Sequence, residues 1–390
     1  MTKENILSYI DENKQKFEKL SKQIWENPEL GHQEFKASKW IADELEIGGF
    51  HVEKGIAGLP TAFRGIYDSN KPGPTIAYLC EYDALPIGHA CGHNLIGIMS
   101  LAAGLALTGI VDEKGGKIVV IGTPAEETSG GKVTIAEQGY FNDVDVAMMV
   151  HPSQYHLKSG TSLALEALQF DFFGKSAHAA SNPDKGINAL DAAILTFNNI
   201  NALRQQIPSD ARIHGIISKG GEAPNLIPNH TQTRFYVRRE TTETLIELVN
   251  KVKNCANAAA LATGCTLEIS NYELGFDNLI TNQALSNIYT KNLQLFGVSE
   301  SEIREKRGGG STDLGNVSHK VPAIHPYVKV PDSPYLPHTE EFRDAVGSDA
   351  GMQTLSLGAK VLAYTGFDIY NDPKLLNEIK EEFRTNVKGS

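Results

Sequence analysis

Apolar positions recur at helical spacing from the start of the chain. Ile6, Leu7, Ile10, Phe17, Leu20, Ile24 and Trp25 predict a helix over 3–26, which Asn27-Pro28 ends. A second helix is expected over 34–46, stopping at Gly48-Gly49. Short strands follow at 61–67 and 74–82, separated by the turn signal Asp68-Ser69-Asn70-Lys71-Pro72-Gly73. An apolar helix from Asn94 to Leu107, a strand at 117–122 and another at 144–150 come next. Three of these strands run into polar groups able to bind a metal: Asp83, then Glu126 and Glu127, then His151. In an alternating β/α chain the C-terminal ends of parallel strands share one sheet edge, so these side chains are expected to converge. An acid after a strand usually only caps the next helix. Three such ends beside a Cys-x-His loop, Gly88-His89-Ala90-Cys91-Gly92-His93-Asn94, are harder to dismiss.

Beyond His151 the pattern changes. A strand is expected at 163–174, a helix at 187–205, strands at 211–219 and 230–239, a helix at 242–263 and a strand at 265–273. That order, βαββαβ, is ferredoxin-like. The fold class is therefore α/β: a mixed-sheet domain with helices on both faces (1–163 and 275–390), interrupted by an inserted ferredoxin-like α+β domain (164–274). The main domain resumes with a helix at 281–296, a loop at 307–311 and a strand at 323–330. A histidine-containing turn at 334–339, a helix at 344–364 and a charged surface helix from Lys374 complete it.

A length of 390 residues fits two domains. The net charge of −11, with acids spread along the chain, argues against nucleic acid or anionic membrane as main partner. The first residues are charged and amphipathic, unlike a signal core, and no apolar run reaches the roughly 18 residues that span a bilayer. A cytoplasmic protein is expected. Four cysteines make no disulfide framework; Cys80 and Cys255 read as small buried hydrophobes. Cys91, in a polar Gly/His loop, is either reactive or a metal ligand.

Read alone, Cys91 and His93 leave a thiol nucleophile with its base, or a pair of ligands. Carboxylates, imidazoles and one thiolate together suit a hydrolytic metal site. Adjacent residues on a turn point apart, so one of Glu126 and Glu127 can bind metal while the other takes a proton from bound water. Each residue also has a bland reading. Glu126-Glu127 would be solvated acids, His151 a buried hydrogen-bonded histidine, and His338 an ordinary loop residue. His89, His156, His319 and His325 read as structural or surface.

Five ordered motifs carry a family resemblance: Tyr82-Asp83-Ala84-Leu85-Pro86, His89-Ala90-Cys91-Gly92-His93, Pro124-Ala125-Glu126-Glu127, His151-Pro152 and His338-Thr339-Glu340-Glu341-Phe342. They resemble the co-catalytic metallo-aminoacylase and carboxypeptidase family, over nearly the whole chain. The cysteine motif is similar to the branch of auxin-conjugate hydrolases, aminoacylase-1-like-2 and p-aminobenzoyl-glutamate hydrolase subunits. The resemblance implies a metal-dependent amidohydrolase acting on an N-acyl amino acid or dipeptide-like small molecule. It implies two divalent ions, zinc or manganese first and cobalt or nickel as alternatives, held by Cys91, His93, Glu127, His151 and His338. A metal-bridging water would attack the amide with Glu126 as general base, and Asp83 would support a ligand histidine. Glu81 stands where many other branches carry a histidine ligand.

In the inserted domain, Gly174-Lys175-Ser176-Ala177-His178-Ala179-Ala180, Pro224-Asn225-Leu226-Ile227-Pro228 and Arg238 resemble the family's dimerisation or lid segment. By that resemblance His178 polarises the scissile carbonyl across a dimer, while Asn225 and Arg238 hold substrate. An arginine fork suits a carboxylate. Arg307-Gly308-Gly309-Gly310-Ser311-Thr312-Asp313 resembles a pocket-closing loop, with Gly310 and Ser311 near substrate; a flexible linker is its plainer reading. A homodimer is expected. A subunit of a hetero-oligomeric hydrolase and a non-catalytic, metal-stabilised binding or regulatory relative are the alternatives.

Overall fold

The computed structural model describes residues 1–306 and 308–388; Arg307, at the head of the expected pocket-closing loop, lies outside the described residues. The chain divides into two compact units. One comprises Met1–Thr161, Leu279–Gly308 and Thr312–Ser390, the other Ser162–Asn278 with Gly309–Ser311.

In chain order the first unit supplies β1 (His51–Lys54), β2 (Phe63–Asp68), β3 (Thr75–Cys80), β4 (Lys117–Gly122), β5 (Val146–Met148), β6 (His151–Ser153) and β7 (His156–Leu157). The second contributes β8 (Ala164–Phe173), β9 (Arg212–Lys219), β10 (His230–Arg239) and β11 (Thr266–Asn271). The first unit then resumes with β12 (Ile303–Arg304), β13 (Ala323–Ile324) and β14 (Tyr327–Lys329).

A six-stranded sheet ordered β1-β2-β4-β3-β5-β13 organises the first unit. β3, β4, β5 and β13 are mutually parallel, whereas β2 runs antiparallel to β1 and β4. Every residue of β3 is buried, as a parallel strand covered on both faces must be. The helix His93–Ala106, buried at all its positions, packs on β3 and β4. Gly97 permits the approach: a Cβ there would stand 2.8 Å from the Glu81 carbonyl oxygen.

This helix corrects the expectation about apolar runs. Within the 22 residues His93–Lys114 an 18-residue window has mean hydropathy 1.9, long and apolar enough to cross a membrane by length and composition. It lies 89% buried inside the protein, so a core position on all sides accounts for its composition.

Other expected elements are subdivided. The helix over 3–26 is two, Lys3–Glu12 and Lys14–Glu26, broken at Asn13, whose side chain bonds back to the Tyr9 carbonyl at 2.9 Å. The strand over 144–150 is shorter, β5 alone with β6 following from His151, and the strand over 323–330 is β13 followed by β14. Both breaks have one cause. The parallel pair β5/β13 belongs to the large sheet and the parallel pair β6/β14 to a second, four-stranded one. The chain changes sheets at Pro326, which has no N–H to give a ladder but accepts from the His151 N–H at 3.0 Å. The helix over 344–364 is Glu340–Gly347 and then Asp349–Asn371, and the charged C-terminal segment forms the helix Pro373–Lys388.

The second unit is an antiparallel sheet ordered β11-β8-β10-β9, the strand order of a ferredoxin-like βαββαβ chain. Along β10, Thr231, Thr233, Phe235 and Val237 alternate inward, as period two requires. They meet the helices Ala189–Leu203 and Thr242–Thr263 in a core with Phe170, Phe172, Leu245 and Val252.

Candidate metal centre

The parallel arrangement places the ends of β3, β4 and β5 on one edge, and the segments beyond them meet. Cys91 Sγ lies 3.5 Å from His151 Nε2 and 3.4 Å from His338 Nε2. Glu127 Oε1 lies 3.9 Å from His93 Nε2 and 3.6 Å from His338 Nε2. Three overlapping trios, Cys91/His93/His151, Cys91/Glu127/His338 and His93/Glu126/Glu127, each bring ligand atoms within 4.8 Å of one another. The five ligands expected of this unit, and Glu126, are thus gathered from segments nearly 250 residues apart.

Backbone geometry fixes the arrangement. Gly92 has φ +80, and a Cβ there would fall 2.4 Å from Pro152, so the Cys91 loop can press against the His151-Pro152 segment only with glycine. His338 holds a left-handed φ of 69°, tied by its N–H to the Ala90 carbonyl at 2.8 Å. That strained conformation in a non-glycine residue turns its ring toward Cys91. Its side chain remains 57% exposed, so the centre opens to solvent on this side.

Asp83 joins two of the segments. Its Oδ1 accepts from His93 Nδ1 at 2.8 Å and its Oδ2 from the Glu127 N–H at 3.0 Å. The His151 Nδ1–H points to the Pro152 carbonyl at 2.6 Å. In the neutral rings both assignments leave Nε2 as the free nitrogen, directed at the cluster. Burial, aided by the neighbouring His93, pushes His151 down to about 3, so it is neutral and able to ligate. Burial also opposes charge on His93, but Asp83 and Glu81 outweigh it and hold the imidazole well above its usual range. Burial raises the Cys91 thiol, with Glu127 adding to the effect. Burial, then Glu81, Glu127 and Asp313, likewise keep the Glu126 carboxyl well above its ordinary value.

The residues fit divalent ions. His93 Nε2, Glu127 Oε1 and Glu81 Oε2 are buried atoms with no hydrogen-bond partner. Orphaned polar atoms of this kind are costly, and here they face one another. Thiolate, imidazole and carboxylate form a donor set that suits zinc, while the carboxylates also admit manganese.

Sequence reasoning missed three residues, Glu34, Lys132 and the role of Asp313. Glu34, fully buried, accepts from the Ala125 N–H and from Thr61 Oγ1, each at 2.8 Å. Ala125 has φ 60, and this anchored left-handed turn is what sends Glu126 and Glu127 apart. Lys132, also fully buried, donates to Glu81 Oε1 and Asp313 Oδ1, each at 2.6 Å. Its one signal in the sequence is a lysine inside the otherwise apolar run Gly131-Lys132-Val133-Thr134-Ile135-Ala136.

Burial, with the Asp83 charge adding to it, raises the Glu34 carboxyl from 4.5 to about 7. A raised acid contributes stability that is complete below its unfolded value and lost as pH rises through the folded one. Relative to Glu34→Gln, the native protein should lose about 2–3 kcal/mol between about pH 5 and pH 8. Urea unfolding of both proteins across that range checks this; parallel pH profiles would refute it.

The remaining candidates belong to the inserted unit. His178 is exposed and its Nδ1 accepts from the Ala180 and Ser181 N–H groups at 3.3 and 3.2 Å. The same loop pairs with the Asn225 segment through the Ala179 N–H to the Asn225 carbonyl at 3.0 Å. Arg238 donates from Nη1 to Ser311 Oγ at 3.4 Å, lies over the Tyr236 ring and keeps a buried Nε with no partner. Gly310 is held by the Leu163 N–H at 2.8 Å. Within this unit, therefore, His178 neighbours Asn225, and Arg238 neighbours Ser311.

The peptidase dimerisation domain of M20 peptidases matches residues 164–264. The chain is 39% identical to the Xaa-Arg dipeptidase of Mus musculus, over 100% of this chain and 93% of that protein. It is 31% identical to a p-aminobenzoyl-glutamate hydrolase subunit of Escherichia coli, over 76% of this chain and 66% of that one. Among solved structures, a dinuclear metal-binding M20 peptidase from Bacillus subtilis shares the fold, with TM-score 0.66 at 19% identity over 92% of this chain and 99% of that one. With similarity to the dipeptidase running through both units, the chain belongs to the M20 peptidase family of hydrolases.

Proposed function

We propose that this M20 hydrolase cleaves the amide bond of a dipeptide or N-acyl amino acid that ends in a free carboxylate. Dipeptides with a C-terminal arginine are the first substrates to test, by likeness to the mouse relative. The observation that carries this reading is the cluster of ligand atoms, within 4.8 Å of one another in each trio, with His93 Nε2 and Glu127 Oε1 among them buried without a hydrogen-bond partner and the Glu126 carboxyl beside it. Cys91, His93, Glu127, His151 and His338 would hold two divalent ions, zinc or manganese foremost. When bound, such ions supply Lewis acidity and lower the pKa of water.

As the ionised carboxylate, Glu126 takes the proton of the attacking water and returns it to the leaving amine, its burial and acidic neighbours making it a stronger base than an isolated carboxylate. Asp83 keeps His93 in the tautomer that offers Nε2. Arg238, with Ser311 and Gly310, is assigned to the substrate carboxylate, and His178 with Asn225 to the scissile carbonyl. The dimerisation-domain match supports a homodimer, and the Escherichia coli relative, named as one subunit of a hydrolase, keeps a hetero-oligomer in view. Sizing and assaying the same purified fraction distinguishes them. Four free cysteines agree with a reducing, cytoplasmic setting.

Metal-reconstituted protein should hydrolyse some members of a panel of arginyl, lysyl and acidic dipeptides, N-acyl amino acids and p-aminobenzoyl-glutamate. Cys91→Ala should lose metal and activity together, by more than the roughly 10–100-fold that a supporting residue costs. Bound metal should protect Cys91 from alkylation. Full activity in metal-free protein, or an acyl group trapped on Cys91, would overturn the proposal.

A further inference from the structure

We infer that Glu81 is a further ligand of the ion held by His93 and Glu127, aimed at it by Lys132. The inference rests on the metal reading above and concerns a carboxylate outside the five-residue ligand set. Glu81 follows directly on β3, and its side chain is 1% exposed. One oxygen is fully engaged: Oε1 accepts from Lys132 Nζ at 2.6 Å. Lys132 is itself fixed, because Nζ also reaches Asp313 Oδ1 at 2.6 Å while its N–H donates to Asp313 Oδ2 at 3.0 Å.

That clamp leaves Glu81 Oε2 buried without a hydrogen-bond partner, 3.4 Å from His93 Nε2, which has none either. A buried carboxylate oxygen is destabilising unless a second cation meets it, which is protonated His93 while no ion is bound and the ion itself once His93 ligates through Nε2. Donor atoms about 2.0–2.2 Å from a tetrahedral zinc ion stand about 3.4 Å apart, the separation found here. His93 Nε2 to Glu127 Oε1, at 3.9 Å, closes the other side. Glu81 also lies with Glu126 and Asp313 in a trio of oxygens within 4.8 Å, whose cation is Lys132. The carboxylate therefore faces an ammonium with one oxygen and the metal position with the other.

Cobalt(II) titration of the metal-free full chain, with metal content measured by mass spectrometry, tests this in wild type, Glu81→Gln and Asp313→Asn. Glu81→Gln should bind one of the two ions at least about tenfold more weakly, while the absorption of the Cys91 thiolate–cobalt bond persists. Asp313→Asn loosens the lysine that aims Glu81 but leaves the Glu81 carboxylate in place, so its loss of affinity should be clearly smaller than that of Glu81→Gln. If Glu81→Gln does not fold, Glu81→Asp, which keeps the charge but retracts it, should show the same selective loss. Unchanged affinities in the Glu81 variants, or equal losses in Asp313→Asn, would overturn the inference and leave the metal reading standing. A wild-type protein that binds no ion would overturn both.

Discussion

Glu126→Gln is expected to lower kcat by about 10³–10⁴-fold with little change in KM or metal content. Glutamine keeps the shape of the side chain and removes its ability to accept and return a proton. The distinction between neighbouring glutamates rests on what each one faces. Glu127 Oε1 is buried without a partner, 3.9 Å from His93 Nε2 and 3.6 Å from His338 Nε2, the surroundings of a ligand. Glu126 is surrounded by Glu81, Glu127 and Asp313, which together with burial bias it toward the protonated form. A group placed among negative charges is a better proton carrier than an isolated carboxylate. Steady-state kinetics on the best dipeptide, with metal analysis of the same preparation, decides the matter. Retention of activity within tenfold would move the base elsewhere, and loss of an ion would make Glu126 a ligand.

Much of this centre could be read from the chain because its parts lie at strand ends. Asp83, Glu126, Glu127 and His151 each follow an apolar run, and parallel β3, β4 and β5 carry them to one edge. The βαββαβ order of the inserted unit was equally legible, since its strands alternate and its helices carry single apolar faces. The lysine clamp was not. Lys132 and Asp313 are 181 positions apart, and a lysine in sequence reads as a solvated side chain unless its partners are known. Glu34 was hidden for the same reason, its partner Ala125 lying 91 positions away. The passage from one sheet to the other at Pro326 was missed because apolar residues flank His325-Pro326 on both sides, and sequence does not show that the two flanks pair in different sheets.

Lys132→Met should destabilise the metal-free protein by about 3–5 kcal/mol, the usual cost of removing one partner from a buried ion pair. Methionine has nearly the volume of the lysine stem, so the buried space stays filled and the charge alone is lost. Glu81 and Asp313, 1% and 0% exposed, would then confront each other with no counter-charge. The destabilisation reflects the stranded carboxylates more than the strength of the original pair. Adding Glu81→Gln and Asp313→Asn to Lys132→Met should therefore recover most of the lost stability, because no stranded carboxylate would remain in the cluster. Urea unfolding of the chelator-treated single and triple variants measures both quantities. Divalent ion should restore part of the single variant's stability if a cation can compensate the freed carboxylates, since ligands that bind only the folded state stabilise it. A Lys132→Met midpoint equal to wild type would show that these carboxyls take up protons at little cost. The clamp would then have no energetic role in holding the centre.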